Sequence, residues 1–347
     1  MAEARRIVLR SDAGADIGYG HISRVRALAS VFRDTLKWDT TLAVNEAAAT
    51  WIKNDNFPLY IVTDDDDEWL SHGAVGSSDA VVIDLKETKP MPALSNLRRQ
   101  GKVISVIDDG SLLRLQADIA FYPPAPQVSE LDWESSDTVV RVGWEWIIIK
   151  SPPQPTSKPI TADINGLKIL VAFGGSDPGS YSARAVNWFR NMPGVAKIDV
   201  VFGPGSSSKD SVEMIAGQFP VPVRLHHAPN GLMDLIAASD AVVCGFGVTA
   251  FEAMSQGRPP LMVSANANDS ISASEVSQAG AGLLLGEADV LEDQHAITVL
   301  AQFTSDVAAQ EKMATRAAGL VDGQGAVRVA REISRLVEDS RSRATRV

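Results

Sequence analysis

The chain has 347 residues, more than one hydrophobic core usually serves, and 45% of them are apolar, so two soluble globular domains are the starting expectation. Its 32 basic and 43 acidic residues give a formal charge of -11 with no segregated basic stretch, which argues against a nucleic-acid partner. No apolar run approaches the ~18 residues needed to cross a bilayer, and "MAEARR" lacks the apolar stretch of a signal peptide, so a cytoplasmic protein without membrane insertion is expected.

In chain order, short β-rich runs alternate with amphipathic stretches, the pattern of βαβ units on parallel sheets. "RIVLR" is followed by the glycine-rich turn "SDAGADIGYG" and a helical stretch from His21, in which 21, 25, 28 and 32 form one stripe with Val25, Leu28 and Phe32. The run "DDDDE", Asp64 to Glu68, reads as a solvated loop and carries no functional claim. "AVVIDL" and "VISVID" are further strands. Residues 151–166, "SPPQPTSKPITADING", hold four prolines and few large apolar side chains, the composition of a linker.

After it the alternation restarts with "LKILVAF", the turn "GGSDPGS" and a helix carrying Ala185, Trp188 and Phe189 on one side. "KIDVVFG", "VRLHH", "AVVCG" and "PPLMVSA" are the remaining strand candidates. His226 and His227 end one of them, where solvent explains them adequately. The last segment places Val329, Ile333, Leu336 and Val337 at helical spacing, a closing helix with a frayed tail after Ser340. The expected organisation is an N-terminal Rossmann-like domain over 1–150, the linker, a second such domain over 167–322, and the closing helix and tail over 323–347.

In open parallel sheets ligands bind beyond the carboxyl ends of the strands, so the turns carry the chemistry. Gly18 and Gly20 let a ligand approach the backbone, and the helix start behind them favours an anion. His21 sits at that start, where the dipole disfavours imidazolium and leaves a neutral ring able to act as a general base; a histidine that only hydrogen-bonds the turn is the competing reading. "GYGHIS" with Asp39 some twenty residues on also echoes a dinucleotide fingerprint. Seven residues separate Arg10 from Gly18 and the third glycine is absent, which argues against a nicotinamide or flavin cofactor.

In the second half, Gly174, Gly175 and Ser176 could donate to phosphate oxygens or form a plain tight turn. "CGFGVTAFEAMSQGRPP" ends a strand in Gly245 and Gly247 and starts a helix near Val248, again a phosphate-binding arrangement. Thr249 and Glu252 have capping-box spacing, so Glu252 reads as a helix cap or as a ribose ligand.

Taken together, "RSDAGADIGYGHISRVRALA", "VIDDG", "RVGWEWIIIK", "FGGSDP" and "GFGVTAFEAMSQGRPP" resemble a known group. It comprises the nucleotide-sugar hydrolases that release 2,4-diacetamido-2,4,6-trideoxy-altrose from UDP in pseudaminic acid synthesis, relatives of spore-coat polysaccharide proteins and of MurG-like GT-B glycosyltransferases. The resemblance implies an α/β, GT-B-like fold with two Rossmann-like domains facing a central cleft, and no cofactor. It implies that His21 activates water at the anomeric carbon and that Asn268 faces the same site. Gly247, Val248 and Thr249 would hold the diphosphate, Glu252 the ribose, and Asp12, Lys86 and Asp108 would lie on the substrate side.

Three departures concern the sugar side. The family's D-H-Y turn corresponds to Asp84-Leu85-Lys86, its asparagine after the next strand to "FYPPAP", and its N-Q pair to Asn268-Asp269. The expectation is therefore a UDP-sugar hydrolase of surface-glycan or nonulosonic-acid biosynthesis whose sugar is open. A glycosyltransferase acting on a soluble sugar acceptor and a non-catalytic sugar-nucleotide binding module are the alternatives.

Overall fold

The computed structural model describes residues 4–63, 68–134, 136–150, 166–175, 177, 179–203, 206, 208–227 and 232–344. Residues 151–165 of the expected linker, the four aspartates 64–67 and Ser176 lie outside them. Two compact units divide the chain: Met1–Ser151 together with Gln324–Val347, and Pro152–Gly323.

Unit 1 is built on a seven-stranded parallel sheet. Its strands are β1 (Arg6–Ser11), β2 (Asp39–Val44), β3 (Leu59–Ile61), β4 (Ala80–Asp84), β5 (Val103–Ile107), β6 (Ile119–Tyr122) and β7 (Val139–Val142), in spatial order β3-β2-β1-β4-β5-β6-β7. Burial follows that order. All five residues of β4 and of β5 are buried, as a parallel strand covered on both faces requires, whereas the edge strand β3 has two of its three residues exposed. Strand order reverses between β1 and β4, whose last residues, Ser11 and Asp84, are register partners.

The first helix, Gly20–Ser30, packs its apolar stripe onto this sheet, with Val25 and Leu28 fully buried and Phe32 fully buried in the π-type turn Val31–Thr35 that follows. Each such side chain contributes roughly 1.5–3 kcal/mol of burial. The closing helix, Gly325–Ala344, inserts Val329, Ile333 and Val337 into the same core, with Leu336 partly buried against it. It does not fray after Ser340: the Ser340 hydroxyl donates to the Gly101 carbonyl (2.8 Å) and Arg341 donates to Asp79 (2.6 Å), so the helix continues to Ala344.

Unit 2 repeats the design with six parallel strands. They are β8 (Leu167–Ala172), β9 (Val195–Phe202), β10 (Val223–His227), β11 (Ala241–Gly245), β12 (Pro260–Ser264) and β13 (Leu283–Glu287), ordered β10-β9-β8-β11-β12-β13. Its reversal lies between β8 and β11, where Ala172, the last residue of β8, is the register partner of Cys244. Ala185, Trp188 and Phe189 are buried in this unit's core. Each unit is thus a Rossmann-like α/β domain, and in such sheets the reversal point at the carboxyl ends is where ligands bind. No helix among the described residues is long and apolar enough to cross a membrane.

Candidate active site

In unit 1, the turn after β1 folds on itself. Gly14 and Gly18 exchange backbone hydrogen bonds (3.2 and 2.7 Å), and Gly18 takes a left-handed φ of 82° that favours glycine. Tyr19 caps the helix without a side-chain hydrogen bond, so Gly20 and His21 are its first two residues.

His21 Nδ1 lies 2.6 Å from Oδ1 of Asp84, the last residue of β4. Asp84 is completely buried, while the His21 side chain keeps 20% of its surface exposed. Arg24, one helical turn after His21, forks both oxygens of that carboxylate, Nε to Oδ2 at 3.0 Å and Nη2 to Oδ1 at 2.8 Å. Its remaining terminal nitrogen, Nη1, donates to Asp108 Oδ2 at 2.8 Å. Burial pushes the Asp84 carboxyl up, but Arg24 first and His21 second, each through electrostatic attraction and a hydrogen bond, outweigh it and hold the group below the usual carboxylate range. Burial likewise lowers Arg24, and Asp84 and Asp108 together raise it above its ordinary value.

An ionised carboxylate can only accept, so the proton between the two groups belongs to Nδ1; in the neutral ring that leaves Nε2 as the lone-pair acceptor. A ring held in that tautomer by a buried carboxylate has the arrangement of a general base.

The expected substrate-side residues fare differently. Asp108, just past β5, joins the His21 cluster through Arg24 and sits at φ 58°, a strained conformation for a residue with a side chain. Asp12 forms a bidentate pair with the buried Arg10 and accepts from the Asn45 backbone N–H (3.0 Å). Lys86 donates to the Asp16 carbonyl (2.7 Å), tying the turn after β4 to the turn after β1. Asp39 starts β2 rather than following it, at the end of the sheet away from these turns, which removes the acid a dinucleotide fingerprint would need.

In unit 2 the glycine turns differ in what they leave open. After β8, Gly174 adopts φ 72°, and Gly175 is approached closely by Gly203. Beyond them the buried Asp177 carboxylate accepts from the Tyr181 N–H (2.9 Å) and the Ser208 hydroxyl (2.5 Å). The N-terminus of the helix Tyr181–Trp188 is therefore already occupied by an anion of the protein's own. After β11, Gly247 lies at φ 143°, ψ -150°, a region open to glycine alone, and caps the helix Val248–Ser255 with no side chain.

This corrects the capping-box reading. Thr249 is the second residue inside the helix, not its cap, so Thr249 and Glu252 do not stand at the cap and third positions. Glu252 is buried on the helix's next turn. Asn268 is exposed in the first turn of the helix Ala267–Gln278, which Asn266 caps by accepting from the Asp269 N–H (2.9 Å). Near the strand end, His226 pairs with Asp199 (2.8 Å) and His227 stacks on Phe202.

Two members of the unit 1 cluster, Asp84 and Arg24, are not among the residues singled out from the sequence. Their signals were present: a carboxylate closing the apolar run "AVVID", and an arginine at i+3 from His21 on the same helix face.

No protein-family model matches the chain. It is 20% identical over 334 residues to the spore coat polysaccharide biosynthesis protein SpsG of Bacillus subtilis, covering 94% of this chain and 97% of SpsG. MurG of Acinetobacter baumannii superposes with a TM-score of 0.68 at 12% identity, over 95% of this chain and 99% of MurG. MnaA of S. aureus, solved with UDP, gives 0.63 at 13% identity over 94% of each chain. The fold is GT-B-like, a pair of Rossmann-like domains.

Proposed function

We propose that the protein hydrolyses a UDP-linked sugar at the anomeric carbon, releasing free sugar and UDP, in the biosynthesis of a surface polysaccharide or nonulosonic acid. The observation that carries the reading is the Asp84–His21 pair at the reversal point of unit 1, in which the carboxylate meets Nδ1 and so turns Nε2 into the acceptor of a neutral ring. Likeness to SpsG, and a fold shared with MnaA solved with UDP, support the substrate class.

In this reading unit 2 holds the nucleoside diphosphate and unit 1 supplies the base. His21 Nε2 takes a proton from water as the water oxygen bonds to the anomeric carbon. The bond from that carbon to the β-phosphate oxygen breaks, and its electron pair leaves with UDP. Backbone N–H groups of Val248 and Thr249, opened by the side-chain-free cap at Gly247, offset the diphosphate charge, and Glu252 takes the ribose hydroxyls. Gly174 and Gly175 are assigned to the diphosphate and Asn268 to the sugar on the resemblance alone.

The same base could deprotonate a sugar hydroxyl, which makes transfer the second reading. It is favoured by one feature: the turn after β4 carries Leu85 and Lys86, and Lys86 is spent on the Asp16 carbonyl rather than presenting a ring to a sugar.

The test is to incubate the protein with UDP-, GDP- and CMP-sugars, with and without acceptor sugars, following free nucleotide and free sugar. Release without acceptor supports hydrolysis; release only with acceptor supports transfer; binding without release under both conditions sinks both. His21→Ala should keep UDP affinity and lose turnover by about 10²–10⁴-fold. Normal turnover in that variant refutes the base assignment.

A further inference from the structure

We propose that Arg24 is a positioning residue that serves as the permanent counter-ion of Asp84 and so leaves His21 uncharged and free to take a proton. The proposal rests on reading His21 as the base. A completely buried carboxylate needs a positive partner, and two candidates touch Asp84: the imidazole and the guanidinium. If the imidazole filled that role it would be held as imidazolium, and Nε2 would carry a proton instead of accepting one.

The geometry assigns the role to Arg24. Its fork takes both carboxylate oxygens, and a guanidinium keeps its charge at every pH the protein meets. Its Nη2 is also 3.1 Å from His21 Nδ1, so a positive charge on the ring would stand almost in contact with another. Asp108 holds the far side of the guanidinium at 2.8 Å and partly offsets it. Of the other charged groups in the surrounding turns, Asp12 pairs with Arg10 after β1, Lys86 donates to the Asp16 carbonyl after β4 and Asp109 accepts from the Thr88 hydroxyl after β5, while the Asp16 and Glu87 carboxylates share those turns. Asp84, Arg24 and Asp108 thus act on His21 with opposite signs in a fixed order.

That order makes opposite predictions for two variants, which mere loss of structure would not. Removing the cation in Arg24→Met forces His21 to become the counter-ion of Asp84, so the ring stays protonated to a pH higher by at least about one unit than in the unaltered protein. Removing the offsetting anion in Asp108→Asn leaves the Arg24 charge less offset and moves ring protonation the other way. Arg24→Lys restores the charge without the fork and recovers the neutral ring in part.

The experiment is a pH titration of the histidine ring nitrogens by 15N NMR in the full-length protein without ligand, the five histidines being assigned through their substitutions. Near neutral pH the unaltered protein should show His21 neutral with its proton on Nδ1. The proposal is overturned if Arg24→Met leaves that signal in place, or if Asp108→Asn shifts the titration in the same direction. Should Arg24→Met fail to fold, Arg24→Lys and Asp108→Asn decide it, since the Asp108 side chain is 37% exposed and outside the core. Turnover is not needed for this reading. If the ring behaves as stated while no nucleotide sugar is hydrolysed, the function fails and the charge assignment stands.

Discussion

Asp84 Oδ1 meets His21 Nδ1 at 2.6 Å although the two residues stand 63 positions apart in the chain. Parallel pairing of β1 with β4 creates the contact: it sets Asp84 beside Ser11, so the carboxylate emerges next to the turn that starts the first helix. The residue that orients the ring therefore comes from one strand and the ring from the helix that follows its neighbour.

Asp84→Asn keeps the shape of this contact and removes its charge. The amide can donate to Nδ1 as well as accept from it, which favours the tautomer with its proton on Nε2. Turnover should fall by about 10²–10⁴-fold with UDP affinity unchanged. Steady-state kinetics beside calorimetric UDP binding separates the two effects. Equal turnover in the variant would leave Asp84 with a structural role only.

The same pair makes stability depend on acid. The Asp84 carboxyl is held below its unfolded-state value, so its stabilising contribution is complete above that value, about 3.9, and is lost as pH falls through the lower folded-state value. Asp84→Asn should destabilise the protein by roughly 1.5–3 kcal/mol at neutral pH, because Arg24 loses its buried charged partner and keeps only Asp108. The gap between variant and unaltered protein should narrow as the solution is acidified past that range. Urea unfolding at neutral and strongly acidic pH measures it, and a gap that widens in acid contradicts the assignment.

The strands were legible where they are buried on both faces: "IVL", "AVVID", "VISVI" and "AVVC" are continuous apolar runs because nothing else fits the middle of a parallel sheet. His21 was legible too, since glycines before a helical stripe mark the turn. Its partner was not. "DLK" reads locally as a departure from a tyrosine turn, and only the register of β1 against β4 brings its aspartate to the ring. The Thr249–Glu252 spacing misled for a smaller reason: the cap lies two residues before Thr249, because Gly247 alone can adopt the backbone needed there. In "FGGSDP" the eye goes to the glycines, while Asp177 fills the helix terminus they lead to.

That difference between the two turns of unit 2 predicts which one holds the diphosphate. Asp177→Ala removes the acceptor of the Tyr181 N–H and should lower stability by about 0.5–2 kcal/mol with little change in UDP affinity. Gly247→Val imposes a side chain on a glycine-only conformation, at a strain of roughly 1–3 kcal/mol, and should weaken UDP binding about tenfold or more. Calorimetry on both variants checks the pairing. The reverse result, affinity lost in Asp177→Ala and kept in Gly247→Val, would move the phosphate site to the turn after β8.

Gly203 and Gly174 separate steric need from backbone need. A Cβ on Gly203 would fall inside the van der Waals envelope of the Gly175 backbone, so Gly203→Ala must push two turns apart, at the roughly 1–3 kcal/mol typical of overpacking. Gly174 has open space where its Cβ would be, and its alanine variant meets only the strain of φ 72°. Gly203→Ala should therefore loosen the turn after β8, seen as faster amide hydrogen exchange at Gly175, whereas Gly174→Ala lowers stability without that local loosening. If both variants exchange alike at Gly175, the close approach of the two turns is not what keeps position 203 without a side chain.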